Sequence, residues 1–185
     1  PDRLAPEEYD VWSCDWSKDG RIVFAGKEKG MDATQTRIWL YRPKADSAPV
    51  LWTGTGSLID LSPRWAPDDS GVVMVRRLTG VNAHGMHSSI WWKAFPSGEG
   101  KRLTTGPWDQ DPTWSPDGES VVFVRGDGPY RSALATVDKK GEKVKILLPM
   151  QDHLISAPYW ARDGRIYFSL IKSVKSDQAK GNFIP

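Results

Sequence analysis

The stretch Asp111-Pro-Thr-Trp-Ser-Pro-Asp-Gly118, continued by Glu-Ser-Val-Val-Phe-Val124, decides the fold. Pro116 sets φ for the second position of a tight turn, and Asp117 can cap its own backbone. Gly118 tolerates the positive φ needed to re-enter a strand. The residues that follow, Val121 to Val124, are β-branched or aromatic, as strands prefer. The stretch therefore encodes a hairpin, with Trp114 ending its first strand.

Three more segments align with it: Trp16-Ser-Lys-Asp-Gly-Arg-Ile-Val-Phe24, Trp65-Ala-Pro-Asp-Asp-Ser-Gly-Val-Val-Met74 and Trp160-Ala-Arg-Asp-Gly-Arg-Ile-Tyr-Phe168. The anchoring tryptophans are 49, 49 and 46 residues apart. A period of that length marks a repeat architecture. Two further strands follow each complete hairpin. They are Arg37–Tyr41 and Val50–Trp52, then Ser89–Phe95 and Lys101–Thr104, then Ser132–Val137 and Lys143–Leu147. Four antiparallel strands in such a span have the size of a propeller blade. No stretch shows sustained helical periodicity with caps. The expectation is an all-β chain, a β-propeller of four-stranded antiparallel blades.

Asp111-Pro-Thr-Trp-Ser-Pro-Asp-Gly118, together with Arg102-Leu103-Thr104, resembles the TolB-like β-propeller repeat, and the resemblance covers nearly the whole chain. It departs at Lys18 and Arg162, where Pro is missing, and at Asp69-Ser-Gly71, where the turn is longer; Asp and Gly still supply the turn. The repeat divides a single propeller domain, or part of one, into units near 1–10 (partial), 11–54, 58–105, 109–149 and 156–185 (partial). Arg3-Leu4 reads as the last strand of a preceding blade, and Phe183-Ile184 as the start of a third strand in the last unit. Three full blades and two partial ones result. They form a segment of a larger ring, since TolB-like rings typically have six blades, or a four-unit ring closed by the N-terminal strand.

Composition narrows the function. With 25 Lys+Arg against 23 Asp+Glu, the net charge of +2 gives no argument for a nucleic-acid partner. At 39% apolar and 26% charged residues the chain is that of a folded protein, and runs such as Ile146-Leu147-Leu148 are far too short for membrane insertion. Cys14 has no second cysteine with which to form a disulfide, and in a first strand it reads as a small buried residue. The chain opens at Pro1 without a Met or leader pattern, so the expectation is a removed leader or a piece of something longer. Nucleophile elbows, phosphate loops, dinucleotide fingerprints and His-Glu-x-x-His are absent from the sequence.

In such blades the loops joining strands two and three share one face with the blade-to-blade connections. That face should collect Tyr9–Trp12, Asp60, the loop from Arg76 to Ser88, Trp108–Asp111 and Asp152-His153. All three histidines fall on it. Candidate partner contacts are Trp12, Arg76, His84, His87, Trp108, Asp109 and His153, with Trp108 as an exposed aromatic anchor. His84-x-x-His87 with His153 could instead hold a divalent metal, although a polar surface loop accounts for the same residues and no cofactor is expected. Asp10, Asp15, Asp109 and Asp111 precede the blade tryptophans. They would either ring the channel and bind a cation or basic peptide, or cap turn amides; their recurrence favours the second. Arg76, Arg77 and Arg125 end second strands at that face and could pair with such carboxylates, but solvated charge is the expectation.

Trp16, Trp65, Trp114 and Trp160 should pack between blades, and Trp91 and Trp92 should point to opposite faces of their sheet. Gly126-Asp-Gly128 reads as a turn. The resemblance implies a bacterial, exported chain, periplasmic or secreted, acting as a non-catalytic scaffold for a protein or peptide. Two alternatives are the substrate-filter propeller of a prolyl-oligopeptidase-like or tricorn-like peptidase, and a metal-dependent polysaccharide lyase. The remaining blades, or a catalytic domain, would come from the rest of a longer chain.

Overall fold

The computed structural model describes residues 6–43, 45–54, 58–78, 87–128 and 130–172. Three four-stranded blades and a two-stranded hairpin follow one another along the chain. The first blade comprises β1 (Tyr9–Trp16), β2 (Ile22–Glu28), β3 (Arg37–Tyr41) and β4 (Val50–Leu51). The second comprises β5 (Leu58–Trp65), β6 (Gly71–Leu78), β7 (Ser88–Ala94) and β8 (Gly100–Arg102). The third comprises β9 (Trp108–Trp114), β10 (Ser120–Gly128), β11 (Arg131–Asp138) and β12 (Val144–Gln151); β13 (His153–Trp160) and β14 (Ile166–Lys172) form the hairpin. Pairing within each blade is antiparallel, and a parallel bridge from Ser88 to Trp108 joins the second blade to the third. The expected strands at Arg3-Leu4 and Phe183-Ile184 lie outside the described residues.

The repeated turn forms as its residues require. Gly20, Gly118 and Gly164 adopt φ of 87°, 74° and 84°. The Ser115 hydroxyl donates to Asp117 at 2.6 Å and accepts from the Ser120 amide at 2.9 Å, closing the loop. Ser17 repeats this with Asp19 and the Arg21 amide. In the second blade the left-handed residue is Asp69, at φ 58°, not a glycine. Gly71 instead opens β6, where a Cβ would strike the Lys93 carbonyl and the Trp92 ring. The longer turn thus trades a glycine at the corner for one at a close approach.

Each innermost strand carries a bulge that redirects its side chains. The residue three before the blade tryptophan has positive φ in three blades: Ser62 at 49°, Asp111 at 50° and Ala157 at 49°. The ladder slips at the same places, as bulges do.

Alternation then gives every sheet two apolar faces. Val23, Ala25 and Ile38 of the first blade meet Trp65, Val72 and Met74 of the second. Val73, Val75 and Ile90 of the second meet Trp114, Val121 and Phe123 of the third. Trp160, Ile155 and Phe168 close on Val122, Val124 and Leu134. Trp91 packs at the first interface and Trp92 at the second, where it meets Trp114 edge-on at 5.1 Å. Trp65 and Trp114 are 6% exposed, but Trp16 is 51% exposed, which corrects the expectation that all four fill an interface. Cys14 is exposed on the same strand, not buried. Residues of β1 that point away from the second blade have no described blade over them, and that is the physical reason for both differences.

Polar ties recur at the blade junctions. The Ser88 hydroxyl donates to the Asp109 carbonyl at 2.9 Å, and Ser132 donates to the His153 carbonyl at 2.7 Å. Each joins the third strand of one blade to the first strand of the next.

Candidate functional site

The antiparallel registers Tyr9 with Glu28, Leu58 with Leu78, Trp108 with Gly126 and His153 with Lys172 bring the starts of first strands and ends of second strands to one face. The candidate residues fall there among the described parts of the chain, but the structure gives them different roles. His84 lies outside the described residues.

Asp60 and Asp109 occupy the same place in successive blades, five residues before the blade tryptophan. Both are 0% exposed. Arg76 grips Asp60 through Nε at 2.7 Å and Nη2 at 3.0 Å, and Arg125 grips Asp109 with the same two distances. The bidentate fork suits a carboxylate that water cannot reach. The hydrogen bond that Arg125 donates to Asp109 raises the Arg125 pKa against the opposing effect of desolvation. In the first blade Lys27 meets Asp10 at 2.9 Å. In the last hairpin the matching pair in register is Ile155 and Leu170. Arg76 and Arg125 therefore pair with blade carboxylates where solvated charge was the expectation, and Asp109 as a surface contact is corrected: the carboxylate is sealed inside its ion pair.

Trp108 is half-buried, not an exposed anchor, because it opens β9 instead of lying in a loop. Its Nε1 is buried with no hydrogen-bond partner among the described residues. His153 is also half-buried, with Nδ1 likewise buried and unpartnered among the described residues. Trp12 is 52% exposed at the bulge of β1. Asp15, expected to cap, accepts the Trp65 amide at 2.7 Å across the first interface. Burial raises its pKa, outweighing the hydrogen bonds from Trp65 and Trp16 that lower it.

Arg76 and His87 are the two candidates brought together. They line a cleft of about 310 Å³ with Leu58, Leu78, Trp91 and Arg102. The Arg76 guanidinium lies 4.8 Å from the centre of the Trp91 ring, and the Trp91 Nε1 donates to the Ser89 hydroxyl at 2.9 Å. Arg102 Nε donates to the Thr104 carbonyl at 2.7 Å, which fixes that side chain at the rim. Arg102 was legible only as part of the repeat signature Arg-Leu-Thr, and Trp91 only as one of a pair with opposite directions.

Tyr130, 66% exposed beyond the Gly126–Gly128 stretch, was also missed; a loop between second and third strands was the available signal. A larger cleft beside the first blade is rimmed by Glu7, Glu8, Glu28 and Lys29. Among the described residues no group of three or more His, Cys, Asp or Glu is placed to hold a metal ion. His87 immediately precedes β7 of the second blade and His153 opens β13 of the last hairpin, with the third blade between them in the chain.

No family model matches the chain. The uncharacterized peptidase YuxL of Bacillus subtilis (strain 168) is 30% identical over 94 residues, which is 50% of this chain and 13% of YuxL. Among solved structures, putative TolB from Agrobacterium tumefaciens has a TM-score of 0.64 at 20% identity, over 90% of this chain and 60% of that one. TolB from Acinetobacter baumannii has a TM-score of 0.63 at 20% identity, over 89% of this chain and 41% of that one. A puromycin-hydrolyzing peptidase from Mycobacterium tuberculosis has a TM-score of 0.64 at 15% identity, over 91% and 28%. The chain spans less than two thirds of each of these proteins. Likeness at this level establishes the fold, that of TolB-like β-propellers.

Proposed function

We propose that this chain is a propeller scaffold that recognises a protein or peptide across its loop face, in the periplasm or outside the cell. The observation that carries the reading is the cleft on that face, apolar along Leu58, Leu78 and Trp91 and cationic at Arg102. Tyr130, exposed in the loop that joins β10 to β11, and Trp12, exposed at the bulge of β1, add the aromatic surface on which interface energy concentrates. Selection from a displayed random-peptide library, followed by affinity measurement, tests it. Replacing Trp12 and Tyr130 by Ala together should weaken the selected peptides by about tenfold or more. Failure of any peptide to enrich over background would overturn the reading.

A second reading is favoured by the YuxL match and the peptidase neighbour. Here the same blades form the propeller of a serine peptidase and admit peptides to a catalytic domain elsewhere in a longer chain. Expression of the parent gene product and measurement of its mass and its cleavage of aminoacyl substrates separates the two. In both readings the loop face would meet peptide.

A further inference from the structure

We infer that the cleft on the second blade is a carboxylate-binding site, taking a peptide carboxylate with an apolar residue beside it; this rests on the reading of the loop face as a peptide-recognition surface. The charge count in the cleft comes first. Arg76 is neutralised by Asp60, which takes two of its N–H groups. Arg102 has no carboxylate within ion-pair distance among the described residues, and it donates through Nε to the Thr104 carbonyl. Its outer guanidinium edge is therefore held in place and open. His87, exposed at the rim, adds a second nitrogen donor. The cleft thus carries uncompensated positive charge over an apolar wall.

Comparison with the other blades shows that the fold does not demand this charge. Trp91 pairs with Arg102 in register; the matching pairs are Trp39 with Leu51 in the first blade and Ala135 with Ile146 in the third. Leu51 and Ile146 are exposed at 37% and 47%, so an apolar side chain is accepted there. Among the described residues, the second blade alone sets a cation opposite an indole in register and at a cleft. At about 310 Å³ the space is at the small end for ligand sites and suits one or two residues. A guanidinium held by its Nε presents its remaining N–H groups as a fork for a carboxylate.

The carboxylate can be a chain end or an acidic side chain, and three probes separate these. N-acetyl-leucine carries the chain-end group, N-acetyl-glutamyl-leucinamide the side-chain group, and N-acetyl-leucinamide neither. Binding to the whole chain is followed by the NMR signals of the Trp91 indole and His87 imidazole. At least one carboxylate probe should bind about tenfold more tightly than the neutral amide, the size of one charge-assisted hydrogen bond. Arg102→Leu, which copies the first blade, should remove that preference and leave the unfolding midpoint unchanged. Equal binding of all three probes, no perturbation of either signal, or an unchanged preference in Arg102→Leu would overturn the proposal. Library-selected peptides that depend on Trp12 but not on Arg102 would sink the carboxylate site and leave the peptide-binding reading standing. Carboxylate probes that bind when no library peptide enriches would do the reverse.

Discussion

Trp114 and Trp16 close the same hairpin in the same repeat, yet one is 6% exposed and the other 51%. Trp114 sits against Val73, Val75 and Ile90 of the blade before it, and its Nε1 donates to the Arg64 carbonyl at 3.2 Å. Trp16 has no described blade before it. The hairpin is thus a local structure that needs no neighbour, while the energy stored in its tryptophan depends wholly on one. A second pair makes the same point with charge. The Asp109 carboxylate is fully buried against Arg125, whereas the Asp10 carboxylate of the first blade is 46% exposed beside Lys27.

The sharpest test exchanges the two tryptophans for alanine. Trp114→Ala should cost about 3–5 kcal/mol, as large aromatic deletions in cores do. Trp16→Ala should cost under about 1 kcal/mol, since half its surface already meets solvent. Urea unfolding of both variants measures the gap, and equal losses would break the comparison.

Charge should follow the same rule. Arg125→Leu strands a buried carboxylate and should cost about 3–5 kcal/mol. The double change Asp109→Ile with Arg125→Leu should recover most of that, because Ile155 and Leu170 already fill the matching positions of the last hairpin. Lys27→Ala frees an Asp10 carboxylate that solvent already reaches and should cost under about 1 kcal/mol.

The turns are the control, because they are built alike in both regions. Ser17→Ala and Ser115→Ala should each cost about 1 kcal/mol by thermal unfolding, with no difference between the first and third blades. Their aspartates also respond alike to acid. Hydrogen bonds from Arg21 and Ser17 hold Asp19 down to about 2, and those from Ser115 and the Glu119 amide lower Asp117. Because these folded-state values lie below the ordinary carboxylate range, their stabilisation is complete above it. It fades as pH falls towards about 2. Melting temperature should therefore decline on acidification, and less steeply in Asp19→Asn.

Asp15 has the opposite sign and the smallest expected effect. Burial raises its pKa, so the ionised form costs stability at neutral pH and protonation relieves it. Asp15→Asn keeps an acceptor for the Trp65 amide and should be neutral or stabilising by about 0.5 kcal/mol. Asp15→Ala removes that acceptor and should cost about 1 kcal/mol.

Strands and turns were legible in the sequence because their causes are local. Arg37–Tyr41 was read to the residue, and Trp91 and Trp92 diverge as period-two geometry requires. Where reading failed, the cause was a neighbour distant in sequence. Trp108 was placed in a loop, but its pairing with Gly126 and bridge to Ser88 draw it into β9. Asp109 looked like a surface carboxylate until Arg125, on the adjacent strand, closed over it. Arg102 and Trp91 were each visible, in a signature and in a strand, and nothing along the chain showed that they share a cleft with His87.

By itself, then, the sequence determined the repeat, its hairpins and the all-β architecture, since spacing, turn residues and β-branched runs act within a few residues of one another. The tertiary structure decided which tryptophans are covered, which arginines are spent on buried aspartates and that Arg102 stands unpaired by any described carboxylate at a cleft. Those outcomes depend on what packs against each blade, and packing partners here lie 16 to 50 residues apart in the chain.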